Sequence, residues 1–197
     1  AGGAVSAAGL RRRFQRRRRG LRRRRGVGTV VTMDWKRIAR HLAVTRRTVN
    51  RAFPPRVLAA IDQAVKASEA THGGEIRFAV EGALHIEPLL RGQTARERAI
   101  EVFSLLRIWD TEDDNGVLIY LLLADRQVEI VADRGIHAKV GPQEWERICR
   151  GMEAAFRRGD FEGGVVEGIR AVTEHLARHF PRRGDDRNEL PDKPVVL

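Results

Sequence analysis

The chain has 197 residues with 37 Lys+Arg, 26 Asp+Glu and a single Cys, which leaves room for one ordinary domain with appendages. No stretch approaches the roughly 20 consecutive apolar residues of a membrane-spanning helix, and the lone thiol, Cys149, excludes an internal disulfide and a Cys-based zinc site. The formal net charge of +11 sits at the start: residues 1–32 hold eleven Arg and no acid, whereas residues 54–197 carry 20 basic against 25 acidic residues, so nucleic acid is not the expected partner of the body.

Residues 1–32 are built mostly from Ala, Gly, Val and Arg, with Arg runs at 11–13, 16–19 and 22–25 that repel one another. A disordered tail is expected. Its apolar part precedes its basic part, unlike a secretory signal. The readings are an RNA- or membrane-binding arm, an organelle-targeting peptide, or sequence that is not native, with Met33 as the true start. The abrupt change of composition at Met33 favours the last.

Residues 33–53 form a basic amphipathic segment, with Trp35, Ile38 and Leu42 at helical spacing and Lys36, Arg37 and Arg40 between them. Such a segment packs on the domain or touches an anionic membrane surface. Its stretch Ala39–Arg51 also fits a helix-turn-helix, with Ala39, Leu42, Val44, Thr48 and Val49 as packing residues and Arg46, Arg47, Asn50 and Arg51 free for a major groove. Ala43 stands where that turn favours Gly, which counts against DNA binding.

Pro54-Pro55 starts the next helix, with Val57, Ile61, Ala64 and Ser68 as its inner stripe and Gly73-Gly74 as a positive-φ stop. From Glu75 the period becomes two: Ile76, Phe78 and Val80 alternate with Arg77, Ala79 and Glu81, a strand. Thr94-Ala95-Arg96-Glu97 is a capping box that opens a helix burying Ala99, Ile100, Phe103 and Leu106. The apolar run Val117–Leu123 reads as a strand covered on both faces. After a tight connection at 124–127, Val128, Ile130 and Ala132 mark its antiparallel partner. Pro142 begins a helix with Trp145, Cys149, Met152 and Phe156 on one stripe. Val165, Ile169, Val172, Leu176 and Phe180 define the last helix, stopped by Pro181, and residues 181–197 are expected to be disordered. The order fits an α/β layered domain over 54–180, its first two strands parallel and its third antiparallel.

The run Asp110-Thr111-Glu112-Asp113-Asp114-Asn115-Gly116 offers hard oxygens to Ca2+ or Mg2+. It is not an EF-hand loop, since its sixth position is Asn115 and its twelfth Leu121. The run reads either as a solvated loop or as a metal loop; in the second case Asp113, Asp114 and Asn115 are the ligand candidates, because they sit at a strand edge. Asp133, at the end of the hairpin strand, and Asp160, after Gly159, join them if the two turns meet in space; otherwise Asp160 simply caps the last helix. Cys149 reads as an inert core thiol. The pair His175 and His179 has helical i, i+4 spacing, but there is no HExxH, P-loop or GxGxxG pattern, so no catalytic residue is assigned.

Three blocks together carry a family resemblance. Asp114-Asn115-Gly116-Val117-Leu118-Ile119 resembles the DNGVLI strand opening of the TPM domain family, named for a thylakoid lumen protein, a photosystem II repair protein and a nematode receptor auxiliary protein. Arg126-Gln127-Val128-Glu129-Ile130 with Gly135-Ile136 is similar to its RxVxI…GL segment, and Phe156–Val165 is similar to its FRxGDYxxGI turn, with Phe161 in place of Tyr. The chain is closest to compact bacterial members. The resemblance implies a three-layer α/β/α sandwich with a small mixed sheet and two C-terminal helices. It also implies a divalent-ion pocket, which maps onto the acidic loop and Asp160. Where relatives often read GYGLEG, this chain has Asp133-Arg134-Gly135-Ile136-His137-Ala138.

One branch of the family has weak acid-phosphatase activity, and others have membrane-protein repair or accessory roles. The expected function is a non-catalytic accessory domain in membrane-protein maintenance, cytoplasmic and peripheral to the inner membrane, with a protein partner and contact with anionic lipid. The alternatives are a divalent-metal-dependent acid phosphatase using Asp113, Asp114, Asp133 and Asp160, and a helix-turn-helix regulator.

Overall fold

In the computed structural model, which describes residues 34–184 and 188–197, the sheet forms where the sequence period is two or the chain is continuously apolar. Strand β1 (Ile76–Glu81) pairs in parallel with β2 (Val117–Leu122), and β2 pairs antiparallel with β3 (Gln127–Ala132). A fourth strand, β4 (Val195–Val196), runs parallel to β1 on its other side, so the order is β3-β2-β1-β4. All six residues of β1 and of β2 are buried, because helices cover both faces of the sheet.

One face packs Ile76, Phe78, Val80, Val117, Ile119, Leu121 and Ile130 against three helices: α3 (Pro55–Glu69), α7 (Pro142–Arg157) and α8 (Phe161–His179). The other face presents Ala79, Leu118, Tyr120, Leu122 and Val131 to α4 (Ile86–Leu90) and α5 (Ala95–Leu105). Three layers result, the α/β/α sandwich that the family resemblance implies and a case of the α/β layering that the order of elements predicts. The capping box at Thr94 forms as expected, with Glu97 N donating to Thr94 Oγ1 at 3.1 Å and Thr94 N to Glu97 Oε2 at 2.8 Å. The buried stripe of α5 is rotated from the expected one: Ala95, Ala99, Val102 and Phe103 are inside, and Ile100 is exposed. Small residues at 95 and 99 let the helix lie close to the sheet. Gly73 and Gly74 are not positive-φ stops. Gly74 is needed for space, because a Cβ there would sit 2.6 Å from Leu176 Cδ2.

The ordered body extends past 54–180 at both ends. Residues expected as a separate basic segment form α1 (Trp35–Ala43) and α2 (Arg46–Ala52), and they dock by burying Ile38, His41, Val49 and Phe53. Gly82, just after β1, permits the approach: a Cβ there would lie 2.9 Å from Val49 Cγ2. The C-terminal residues, expected to be disordered, instead supply β4 and the buried Leu190. Composition favours disorder, but Glu75 accepts the Glu189 N–H at 2.8 Å and Val80 O accepts that of Leu197 at 2.9 Å, which tie the segment to β1. The Arg-rich residues 1–32 lie outside the described residues. Among those described, no helix is long and apolar enough to cross a membrane.

Candidate functional site

Two parallel strands that start side by side place their N-terminal ends, and the C-terminal end of the antiparallel β3, on one edge of the sheet. The acidic loop arrives there between α5 and β2. Asp133 follows β3 and begins α6 (Arg134–Val140), a short helix not foreseen from the sequence. The backbone closes this edge: Asp133 N donates to Gly116 O at 2.9 Å, and Asp114 O accepts from Gly135 N at 2.9 Å and Ile136 N at 3.3 Å. Gly135 is where the space demands glycine, since a Cβ would sit 2.7 Å from both Asp113 O and Asp114 O. Asp114 itself takes a left-handed φ of 53°, a conformation Asp tolerates better than most residues.

Within this edge, Asn115 is 1% exposed; its Nδ2 donates to Gly73 O at 2.9 Å, and its Oδ1 is buried without a hydrogen-bond partner. Asp133 is also buried; its Oδ1 accepts from Arg134 N at 2.7 Å, and its Oδ2 is unpartnered. Asp113 and Asp114 stand further out, 3.5 Å from Arg183 Nη1 and 3.4 Å from Arg134 Nη2. Burying a polar oxygen without a partner costs about 1–3 kcal/mol. Each of these oxygens lacks a partner of its own, and by the alternation of β2 and β3 Asn115 shares the face of Val117 while Asp133 shares that of Val131; Ca2+ accepts amide and carbonyl as well as carboxylate oxygens. Among the described residues no group of three His, Cys, Asp or Glu side chains is placed to hold a metal ion, so such a site would depend on Asp133 and on the backbone.

Asp160 is not brought to this edge. It caps α8, accepting from Gly163 N at 2.9 Å, and its neighbours Gly159 and Phe161 line a cavity with Leu121, Leu123 and Arg126 beyond the other end of β2. A six-residue strand, roughly 20 Å long, separates the two positions. Cys149 is partly buried, and burial pushes its thiol up to about 12, so it is not a thiolate nucleophile at neutral pH. His175 pairs with Glu144 at 3.0 Å.

Two features were not legible in the sequence. At the far end of β2, Asp125 gathers Arg37 at 2.8 Å, His41 at 3.1 Å and Arg40 at 3.5 Å. Burial pushes the Asp125 carboxyl up, but Arg37 and then His41 outweigh it and hold it below its ordinary range. Close to the acidic edge, Glu69, His72, Glu75 and Arg77 all carry buried, unpartnered polar atoms. No spacing marks these residues, because they become neighbours only when α3, β1 and the C-terminal segment meet.

A family model named for a TPM phosphatase and described as the TPM domain matches residues 50–175. Among solved structures the chain is similar to the BA42 protein of the psychrophilic bacterium Bizionia argentinensis, with 32% identity and a TM-score of 0.64 over 72% of this chain and 93% of that one. The N-terminal domain of a protein from P. gingivalis aligns at 20% identity with a TM-score of 0.49, covering 61% of this chain and 76% of that one. No curated protein matches the chain.

Proposed function

The chain belongs to the TPM domain family, and from that premise we propose that it is a non-catalytic accessory domain in membrane-protein maintenance, working at an anionic membrane surface through the face made by α1 and α2. One observation carries this reading: Trp35 and Leu42, seven residues apart on α1, are each 69% exposed, beside the exposed Lys36 and Arg40 of α1 and Arg46, Arg47 and Arg51 of α2. Large apolar side chains among cations are the composition of an interfacial helix, in which the rings and aliphatic chains enter the headgroup region and the cations meet lipid phosphate. The same two helices hold Ile38 and Val49 in the core, so the face is carried on a fixed support. Co-sedimentation with phosphatidylglycerol vesicles tests it. The Trp35→Ala, Leu42→Ala double variant should bind on the order of a hundredfold more weakly or worse, since each lost side chain contributes about 1.5–3 kcal/mol when buried. Equal binding by the variant would discard this face as the membrane contact. A gel shift alongside reads the helix-turn-helix alternative, which is disfavoured by a turn of only two residues, Val44 and Thr45.

A second reading rests on the unpartnered Asp133 Oδ2. Asp133 Oδ2 would take Ca2+ or Mg2+ together with backbone and water oxygens, with Asp113 and Asp114 adding negative charge nearby. A metal there would neutralise a phosphate ester's charge, the requirement of a metal-dependent acid phosphatase. Hydrolysis of p-nitrophenyl phosphate that is abolished by chelator and by Asp133→Asn would favour this reading over the first; activity indifferent to both would remove it.

A further inference from the structure

Beside the acidic edge, the C-terminal end of α3, the turn into β1 and the C-terminal segment line an open cavity of about 240 Å3 with Lys66, Glu69, His72, Glu75, Arg182 and Asp192, among others. Its walls are tied together by the backbone: Gly73 N donates to Phe180 O at 3.0 Å, and Glu189 N donates to Glu75 Oε1 at 2.8 Å. His72 is 2% exposed and Glu75 is 3% exposed. Two such residues facing a cavity ought to be fully hydrogen-bonded. They are not. His72 Nδ1 accepts from Gly74 N at 3.2 Å, which leaves the hydrogen on Nε2, and that Nε2–H has no partner. Glu75 Oε2 and Glu69 Oε1 have no well-directed partner either, although the Leu190 and Ile76 amides lie close to the two carboxyls and Asn188 Nδ2 donates to Glu69 Oε2 at 3.3 Å and to Asp192 Oδ1 at 2.6 Å.

The charges around the cavity are of both signs. Glu69, Glu75 and Asp192 face it as acids, while Lys66 is already engaged with Asp62 at 2.7 Å. Arg182 stands at the exposed rim and donates to Glu69 O at 3.3 Å. Arg77, behind the wall on β1, has Nε and Nη1 unpartnered. Burial, and then Glu75 and Asp192, push the Glu69 carboxyl up to about 8, and burial pushes Glu75 up to about 7, which is how carboxyls behave when short of a cation. An amine alone would leave the His72 N–H unsatisfied. An anion alone would meet three carboxyl groups. The cavity opens to solvent on one side, and its walls suit a compact polar molecule.

We propose that this cavity binds a small zwitterion, a free α-amino acid being the simplest, with its ammonium among Glu69, Glu75 and Asp192 and its carboxylate against His72 Nε2–H and Arg182. One ligand then meets unpartnered donors and acceptors together. Neither a metal nor a membrane is needed, so this assignment stands or falls apart from the functions proposed above.

The test uses the full chain, with thermal melting and titration calorimetry against glycine, L-alanine and L-threonine at millimolar concentration. Ethylamine and acetate serve as the two halves of the ligand. At least one amino acid should raise the melting temperature and bind on the order of tenfold more tightly than either half, because only the whole molecule satisfies both sets of groups. Glu75→Gln retains an oxygen for Glu189 N but loses the negative charge, and should abolish the shift. If that variant fails to fold, Glu69→Gln makes the same comparison. Amide shifts of Gly74 and Glu189 in the wild-type protein place the ligand directly. The proposal is overturned if no amino acid binds, if ethylamine or acetate binds as well as the amino acids, or if the Gln variants bind as tightly as the wild type.

Discussion

The two ends of the central strand β2 solve the same problem in opposite ways. At the C-terminal end, buried charge is mostly paired: Asp125 lies 2.8 Å from Arg37 and 3.5 Å from Arg40, and His41 Nε2, 3.1 Å away, is within ion-pair distance but makes no well-directed hydrogen bond. At the N-terminal end, polar atoms are buried and left open, on Asn115 and Asp133 at the loop edge and on His72 and Glu75 around the cavity. The N-terminal end thus carries more buried polar atoms without partners than the end where Asp125 fastens α1. Buried orphans are costly, and such costs concentrate at sites that bind.

The contrast breaks most visibly at Asp125. Asp125→Ala should destabilise the protein by about 3 kcal/mol in urea unfolding, because it strands the half-buried Arg37 and the buried His41. Asp133→Asn keeps the oxygen that accepts Arg134 N and should cost less than about 1 kcal/mol. A Asp125→Ala protein as stable as the wild type would erase the distinction between the two ends.

Calcium sharpens the comparison. At a hundredfold excess over its dissociation constant, Ca2+ should raise wild-type stability by about 2.7 kcal/mol. Asp133→Asn should lose most of that gain, and Asp160→Asn should keep it, since Asn caps a helix about as well as Asp and Asp160 lies at the other end. Melting in chelator and in Ca2+ decides between them, and identical curves for the wild type would remove the metal.

A pH series probes the cavity. Glu75 and Glu69 ionise near 4.5 when unfolded and only at about 7 and about 8 when folded, so the folded state holds more protons and their stabilisation is lost as pH rises through those values. His72 acts in the other direction: burial lowers it from 6.5 to about 4, so it adds stability as pH rises over that interval and only about 0.4 kcal/mol more above it. From pH 6.5 to about 8 the losses outweigh that gain, and stability should fall by about 1–2 kcal/mol. The Glu69→Gln, Glu75→Gln double variant should flatten that slope. A smaller effect is expected from deleting Val195–Leu197. Val196 and Leu197 are about half exposed, and losing the edge pairing with β1 should cost about 1 kcal/mol in the same denaturation experiment.

Much of this architecture is legible along the chain. Period two at Ile76–Glu81, the continuous apolar run from Val117 and the helical stripe of α8 each rest on residues close in sequence, and the capping box at Thr94 is a local hydrogen-bonding device. Other elements escape for physical reasons. Helices α4 and α6, of five and seven residues, are too short to show a period. Strand β4 has two residues and is ordered by partners on β1 rather than by its own propensity. Four of the five proposed ligands, Asp113, Asp114, Asn115 and Asp133, do share one edge. Asp160 does not, because joining two turns in sequence order says nothing about which end of a strand each one serves.

The sequence by itself determined the α/β class, the parallel pairing of the first two strands, the capping of α5 and α8, and the family, because each depends on periodicity, side chains three residues apart or contiguous motifs. Tertiary structure alone decided that α1 and α2 dock through Asp125, that the C-terminal segment completes the sheet, and that Glu69, His72, Glu75 and Asp192 surround one cavity. Those contacts join residues as far apart as 37 and 125, or 75 and 189, and the free energy that selects them comes from burial and charge pairing that exist only once the layers have closed.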